Sequence, residues 1–488
     1  MRRLFGSTLT VGAIGIAIAS FALTGVSQAT TDDDVFTKIT QVNVASTAIT
    51  CNFAHAKTPT DTSYFTFDIS WVGAARGEYL LADSSHGRPS SDNQGGVLSG
   101  ATDGDVLLID VDNPGNGAIP ILPPQNDPFA GRRCDNNTNF GGVVGTPSRN
   151  EISGPNGLFT VNDTEVWVGD GPSRFNPGQS LSGTGAATDY KEDRCDSSVR
   201  VFSLLTRRQT DHINVHGCFR TDEGAFDPVE QVVLFANPSE NPLVAAKDMH
   251  ARQVDNSPFI TLISAQPTGS DNDDHGDYDD RGDRDHQGHH AILKQINFDG
   301  TNHTIDARNI GIEQAVYVRQ TGLFYIAIPG PGSSGSLAVV DPRPGPNQFT
   351  VVKNIPLTGC APTGAALGPN ETLILGCGDQ VYNIVTGALT PISDSLISLA
   401  CDEVAYDGSS HFASACLTKQ SAGNFDLLVS DAHTLNFDTR FSGAPGAHSV
   451  AGDPASARFW FPAYGGVCGA NQACVAVLGG DDTDAQGP

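Results

Sequence analysis

The sequence predicts an all-β fold, a seven-bladed β-propeller closed by its N-terminal strand. Three observations carry this. Short β-branched and aromatic runs alternate with Gly, Pro, Asn and Asp, without sustained helical periodicity. One pattern returns seven times: a polar residue, a small residue, a short apolar stretch, a turn, then a stronger strand. The last return ends one strand short, and the beginning of the chain can supply it.

Taken in order, the copies begin with Phe67-Asp68-Ile69-Ser70-Trp71, followed by Tyr79 to Asp83. The second is Pro155-Asn156-Gly157-Leu158-Phe159 with Trp167 to Asp170. The third is Asp222-Glu223-Gly224-Ala225-Phe226 with Val232 to Asn237. Later copies start at Glu313, Pro362, Asp402 and His448. Further strands such as Val106 to Asp110, Val199 to Leu205, Phe259 to Ser264 and Ser336 to Asp341 lie between them, giving four antiparallel strands per copy. After His448 come Phe459 to Phe461 and Cys474 to Leu478, with no room for a fourth strand. Val35 to Val44 resembles outer strands such as Phe349 to Leu357, and pairing it into the last blade removes an exposed sheet edge. The competing architectures are a two-sheet sandwich or two all-β domains.

The chain has 488 residues, 39% of them hydrophobic, enough for a large core. Its 28 Lys and Arg against 55 Asp and Glu leave a charge of −27, which repels phosphate backbones and excludes nucleic acid as a partner. Arg2 and Arg3 precede an apolar run from Val11 to Leu23 and then Ser27-Gln28-Ala29, the layout of a secretory signal over residues 1–29. The remaining 30–488 then form a single secreted or periplasmic propeller with no transmembrane segment.

Ten cysteines in an exported chain point to disulfides. Residues paired across a hairpin lie equally far from its turn. By that rule Cys401 pairs with Cys416, Cys360 with Cys377, and Cys195 with Cys218. A short loop joins Cys468 to Cys474, leaving Cys51 and Cys134 by elimination.

Aligning the first strands by their turns gives one polar residue per blade: Asp68, Asn156, Glu223, Gln314, Thr363, Glu403 and Ser449. First strands line a propeller's channel, so these side chains are expected to ring one mouth. Phe67, Pro155, Asp222, Glu313, Pro362, Asp402 and His448 form the preceding tier. Crowded carboxylates raise one another's pKa or require a cation, and oxygen donors suit Ca²⁺ or Mg²⁺. No organic cofactor is indicated. The expected roles are Asp68, Glu223 and Glu403 as metal ligands, His448 as a proton carrier with Glu223 and Glu403, and Gln314, Thr363, Asp222, Glu313 and Asp402 as ligand-binding groups. The bland alternative is a polar channel filled by ordered water.

Gly154 to Leu158, the Asp-Glu copies and Gly446 to Pro454 resemble YVTN/NHL-type bacterial propellers. The Pro155-Asn156-Gly157 element is similar to the metal-binding Asn segment of senescence-marker-30/gluconolactonase propellers. That resemblance implies Asn156 as a further metal ligand and divalent-cation-dependent lactone hydrolysis. The other ligand motifs of that family are not recognisable.

The segment 271–290 holds eight Asp and four His between two strands of the third copy and reads as a solvated loop insertion. No EF-hand register fits it, and Gly-x-Ser-x-Gly, His-Glu-x-x-His and phosphate-loop motifs are absent. Two functional readings remain. One is small-molecule or carbohydrate handling at the channel mouth, as a metal-dependent hydrolase or lyase. The other is a non-enzymatic binding module whose loops, such as 171–193, dock a protein partner.

Overall fold

The computed structural model describes residues 36–44, 65, 67–84, 104–124, 127–129, 154–171, 196–217, 220–238, 257–267, 289–301, 303–308, 310–330, 334–344, 349–377, 380–392, 397–418, 424–443 and 446–480. Strands therefore follow the apolar runs. Blade 1 comprises β2 (Phe67–Gly73), β3 (Glu78–Asp83), β4 (Asp105–Asp110) and β5 (Ala118–Ile121). Blade 2 comprises β6 (Leu158–Val161), β7 (Glu165–Asp170), β8 (Ser197–Ser203) and β9 (Gln209–Gly217). In blade 3 these are β10 (Gly224–Asp227), β11 (Val232–Asn237), β12 (Phe259–Ser264) and β13 (Ile292–Asn297). Blade 4 is β14 (Ala315–Val318), β15 (Leu323–Ile328), β16 (Ser334–Asp341) and β17 (Thr350–Thr358). Blade 5 is β18 (Ala365–Leu367), β19 (Thr372–Leu375), β20 (Gln380–Asn383) and β21 (Leu389–Pro391). Blade 6 is β22 (Ile397–Tyr406), β23 (His411–Thr418), β24 (Phe425–Asp431) and β25 (Phe437–Ser442). Blade 7 takes β26 (Ala451–Asp453), β27 (Arg458–Tyr464) and β28 (Ala473–Gly479), and its outer strand is β1 (Thr37–Val44).

The seven antiparallel sheets close into a propeller. First strands of successive blades touch in turn, from β2 through β6, β10, β14, β18 and β22 to β26, and β26 touches β2. The period of two supplies the packing. On β11, Val232, Leu234 and Ala236 enter the cluster shared with blade 4, while Val233 and Phe235 enter the one shared with blade 2. Each of the seven gaps between blades holds such a buried cluster. The expected closure is present: β1 pairs along β28 from Thr37↔Gly479 to Val44↔Ala473. Phe36 seals the gap between blades 6 and 7, meeting Phe459 and His411.

Part of the acid surplus is spent on turns. Asp110, Asp227, Asp341, Asp407, Asp431 and Asp453 each accept backbone N–H groups of the turn that follows them. Beside one of these turns His411 is pushed up to about 9: burial alone would lower it, but hydrogen bonds to Asp407 and Asp438 prevail. Elsewhere Arg200, almost fully buried, donates to Asp170 at 2.8 Å and to the Asp127 and Pro128 carbonyls, which fixes the 127–129 segment on blade 2.

Three of the expected disulfides form: Cys360–Cys377, Cys401–Cys416 and Cys468–Cys474. Cys401 and Cys416 face one another in the β22/β23 register, as the midpoint rule requires. The Cys360 pair departs from that rule. Ala365↔Leu375 sets a register in which Cys377 opposes Thr363, so the bond reaches back to Cys360 in the connection between β17 and β18. Cys51, Cys134, Cys195 and Cys218 lie outside the described residues, as do the signal at 1–29, the loop 172–193 and positions 271–288. The double change Cys401→Ser with Cys416→Ser is expected to cost about 2–4 kcal/mol, read as a lower urea midpoint under oxidising conditions. Among the described residues, no helix is long and apolar enough to cross a membrane.

Candidate functional site

The starting ends of the first strands come together at one mouth of the channel, and backbone pairing fixes their true alignment. Asn156 N donates to Gly169 O, Asp222 N to Ala236 O, Glu313 N to Ala327 O and Thr363 N to Gly376 O. These four residues are therefore equivalent. The return bonds from Gly169, Ala236, Ala327 and Gly376 reach Gly157, Glu223, Gln314 and Gly364, which form the next tier. Bonds between blades extend the match, since Gln314 N donates to Thr363 O as Glu403 N donates to His448 O.

This corrects the sequence alignment. Asn156 and Thr363 belong one tier earlier, with Asp222, Glu313 and His448, and are not ring-mates of Glu223, Gln314 and Glu403. The physical reason lies in the glycines. A Cβ on Gly157 would sit 2.0 Å from Asp222 O, and one on Gly364 would sit 2.0 Å from Asp402 O. Blades 2 and 5 thus spend a ring position on letting the next blade's backbone approach.

The earlier tier explains what Asn156 and Thr363 do. Asn156 Nδ2 faces the Thr221 carbonyl at 3.5 Å, and the Thr363 hydroxyl donates to the equivalent Cys401 carbonyl. Both side chains join neighbouring blades. Asn156, 1% exposed, spends its Nδ2 on this contact between blades. Ser449 does similar work, its hydroxyl donating to Ser70 at 3.0 Å.

The charged groups meet in the space these contacts frame. Glu223 and Glu403 project from blades 3 and 6, yet their carboxyl groups lie close enough at the channel mouth to perturb one another. Burial pushes Glu223 well above the ordinary carboxylate range, and Glu403, Asp222 and Glu313 reinforce it. Glu403 is raised by burial and by Asp402, Asp68 and Asp222, although the contact with Glu223 works the other way. Gln314 steadies the pair. Its Nε2 donates to Glu403 Oε2 at 2.8 Å, and its Oε1 accepts from Ala365 N at 2.6 Å.

Beside the pair, Asp222, Glu223 and Glu313 each offer a carboxylate oxygen within 4.8 Å of the others. This donor set is hard and anionic, and it fits Ca²⁺ or Mg²⁺ better than a soft metal. Among the described residues, Glu223 Oε2 and Glu403 Oε1 receive no N–H or hydroxyl donor. Facing carboxylates of this kind need a shared proton or a cation between them. Of the ligands expected from sequence only Glu223 belongs to this group.

Asp68 is committed elsewhere. Its Oδ2 takes Arg220 Nη1 at 3.0 Å, and its Oδ1 lies 3.4 Å from His448 Nε2. Arg220 Nη2 also reaches Asp222 Oδ2 at 2.6 Å. His448 is held between Asp68, the stacked ring of Phe67 and the tilted ring of Phe425. Sequence reasoning missed Arg220 because it precedes β10 in an irregular connection, where strand periodicity is silent. The available signal was an isolated cation two residues before an Asp-Glu pair in an acidic chain.

No family model and no curated protein matches this chain. Among solved structures, a chain in the crystal structure of the mitotic checkpoint complex overlays 95% of this chain and 99% of its own length, with 9% identity and a TM-score of 0.45.

Proposed function

We propose that this is an exported propeller that handles a small ligand at the channel mouth, with a hard divalent cation supporting hydrolysis or elimination. The observation that carries the reading is the buried Asp222, Glu223 and Glu313 group, set against Glu223 Oε2 and Glu403 Oε1, which receive no donor among the described residues. Those three carboxylates would hold Ca²⁺ or Mg²⁺, which when bound supplies Lewis acidity. His448, oriented by Asp68, would move protons, and Gln314 positions Glu403. Asp402 and Glu403 border the space a neutral or carbohydrate ligand would enter. The Pro155-Asn156-Gly157 element, similar to a segment of gluconolactonase-like propellers, is in keeping with lactone hydrolysis, and the secretory layout of residues 1–29 with export.

Metal analysis of the purified protein, followed by chelation and Ca²⁺ or Mg²⁺ add-back on a lactone and carbohydrate panel, tests this. Turnover is expected to fall on chelation, return on add-back and drop at least about a hundredfold in Glu313→Gln, an effect of the size seen when one charge-stabilising group is removed. Turnover indifferent to both would refute a cation-dependent reaction.

A second reading, a non-catalytic binding module, draws on a different observation. Asn156, Thr363, Gln314 and Ser449 all spend their side chains on joining elements together. Under that reading a protein partner binds through the loops, and exchange of Glu313 leaves its affinity unchanged.

A further inference from the structure

We propose that Arg220 is a resident competitor for the divalent cation, holding the Asp222 carboxylate that the cation would take. The inference rests on the cation reading above and adds a residue that sets its affinity. Arg220 is 6% exposed and bridges two carboxylates, Asp68 at 3.0 Å and Asp222 at 2.6 Å. Asp222 is also one of three residues whose carboxylate oxygens converge within 4.8 Å. One carboxylate thus belongs both to a guanidinium and to the candidate cation group.

A second observation points to a ligand at the same place. Glu403 lies outside the three-residue group and is 2% exposed, yet among the described residues its Oε1 receives no donor. The guanidinium therefore leaves the assembly's demand for positive charge partly unmet. Its geometry also suits exchange. A planar fork that binds two carboxylates through different nitrogens can release Asp222 and keep Asp68. A built-in cation of this kind lowers affinity for an external one through repulsion and through occupancy of a shared ligand.

Calorimetric titration of the full chain with CaCl₂ and MgCl₂ tests the assignment. Arg220→Met should bind Ca²⁺ at least about tenfold more tightly than wild type, since a full positive charge leaves a poorly hydrated site. Asp68→Asn should weaken binding, because without the Asp68 carboxylate the guanidinium bears more fully on Asp222. Glu313→Gln should abolish binding in both the wild-type and the Arg220→Met background. Circular dichroism establishes that each variant is folded; if Arg220→Met is not, Asp68→Asn still decides. Equal affinity in wild type, Arg220→Met and Asp68→Asn would overturn the competitor role while leaving the cation site standing. No binding in wild type or in folded Arg220→Met would overturn the cation reading itself, and this inference with it.

Discussion

A chain lacking residues 36–44 is expected to lose its cooperative thermal transition and to associate in solution. Those residues supply the outer strand of blade 7 and pair with β28 over its whole length. They also bury Phe36, Val42 and Val44, the first in the gap between blades 6 and 7 and the others in the gap between blades 7 and 1. At about 1.5–3 kcal/mol per buried side chain, the three together contribute about 4–9 kcal/mol. A whole domain is stable by only about 5–15 kcal/mol. Removal would also expose the edge of β28, whose alternating Val475, Val477 and Ala476 offer an apolar template for another chain. Circular dichroism melts with size-exclusion chromatography measure both effects. A truncated chain that remained monomeric and melted sharply would show that six complete blades and a three-stranded seventh suffice.

Glu223→Gln and Glu403→Gln should each stabilise the metal-free protein above neutral pH while impairing the site. Both carboxyl groups sit above their ordinary range, chiefly through burial and then through neighbouring carboxylates. The folded ring therefore keeps protons that the unfolded chain has released. Their stabilising contribution is complete below the unfolded value of about 4.3 and is lost as pH rises through the raised folded values. Replacing either Glu with Gln removes one ionisation and retains a hydrogen-bonding amide. Melting temperature measured without divalent ions from pH 5 to pH 9 should decline for wild type and decline less for each variant, with a gap of several degrees at the alkaline end. Parallel curves would mean that the pair ionises without cost.

The blades were legible because alternation along a strand is written directly into residue types. Trp167, Phe235 and Phe324 announce sheets before any coordinate is known. Closure by Thr37–Val44 was legible because the seventh repeat visibly lacks an outer strand. The tier structure of the mouth was not. Pro155-Asn156-Gly157 and Asp222-Glu223-Gly224 share a small residue after a polar one, so matching the glycines sets Asn156 beside Glu223. The hydrogen bonds of β7 and β11 decide otherwise, because they align Gly157 with Glu223. Strand register depends on a partner distant in sequence, and a repeat motif alone carries no mark of it. The candidate cation group accordingly gathers Asp222 and Glu313 with Glu223, while Asp68 is engaged by Arg220 and His448.

Placing the first strand against the last has a consequence for biosynthesis. β1 leaves the ribosome before any other described strand, yet the edge it covers is made only when residues 473–479 appear. Blades 1 to 6 can assemble as they emerge, since each uses neighbouring segments. The opening stretch must wait, solvated and without its mate, for nearly the entire chain to be delivered. Contacts so far apart in sequence form slowly, so locking of the ring should be the final event of maturation and the step at which a holding chaperone has most to protect.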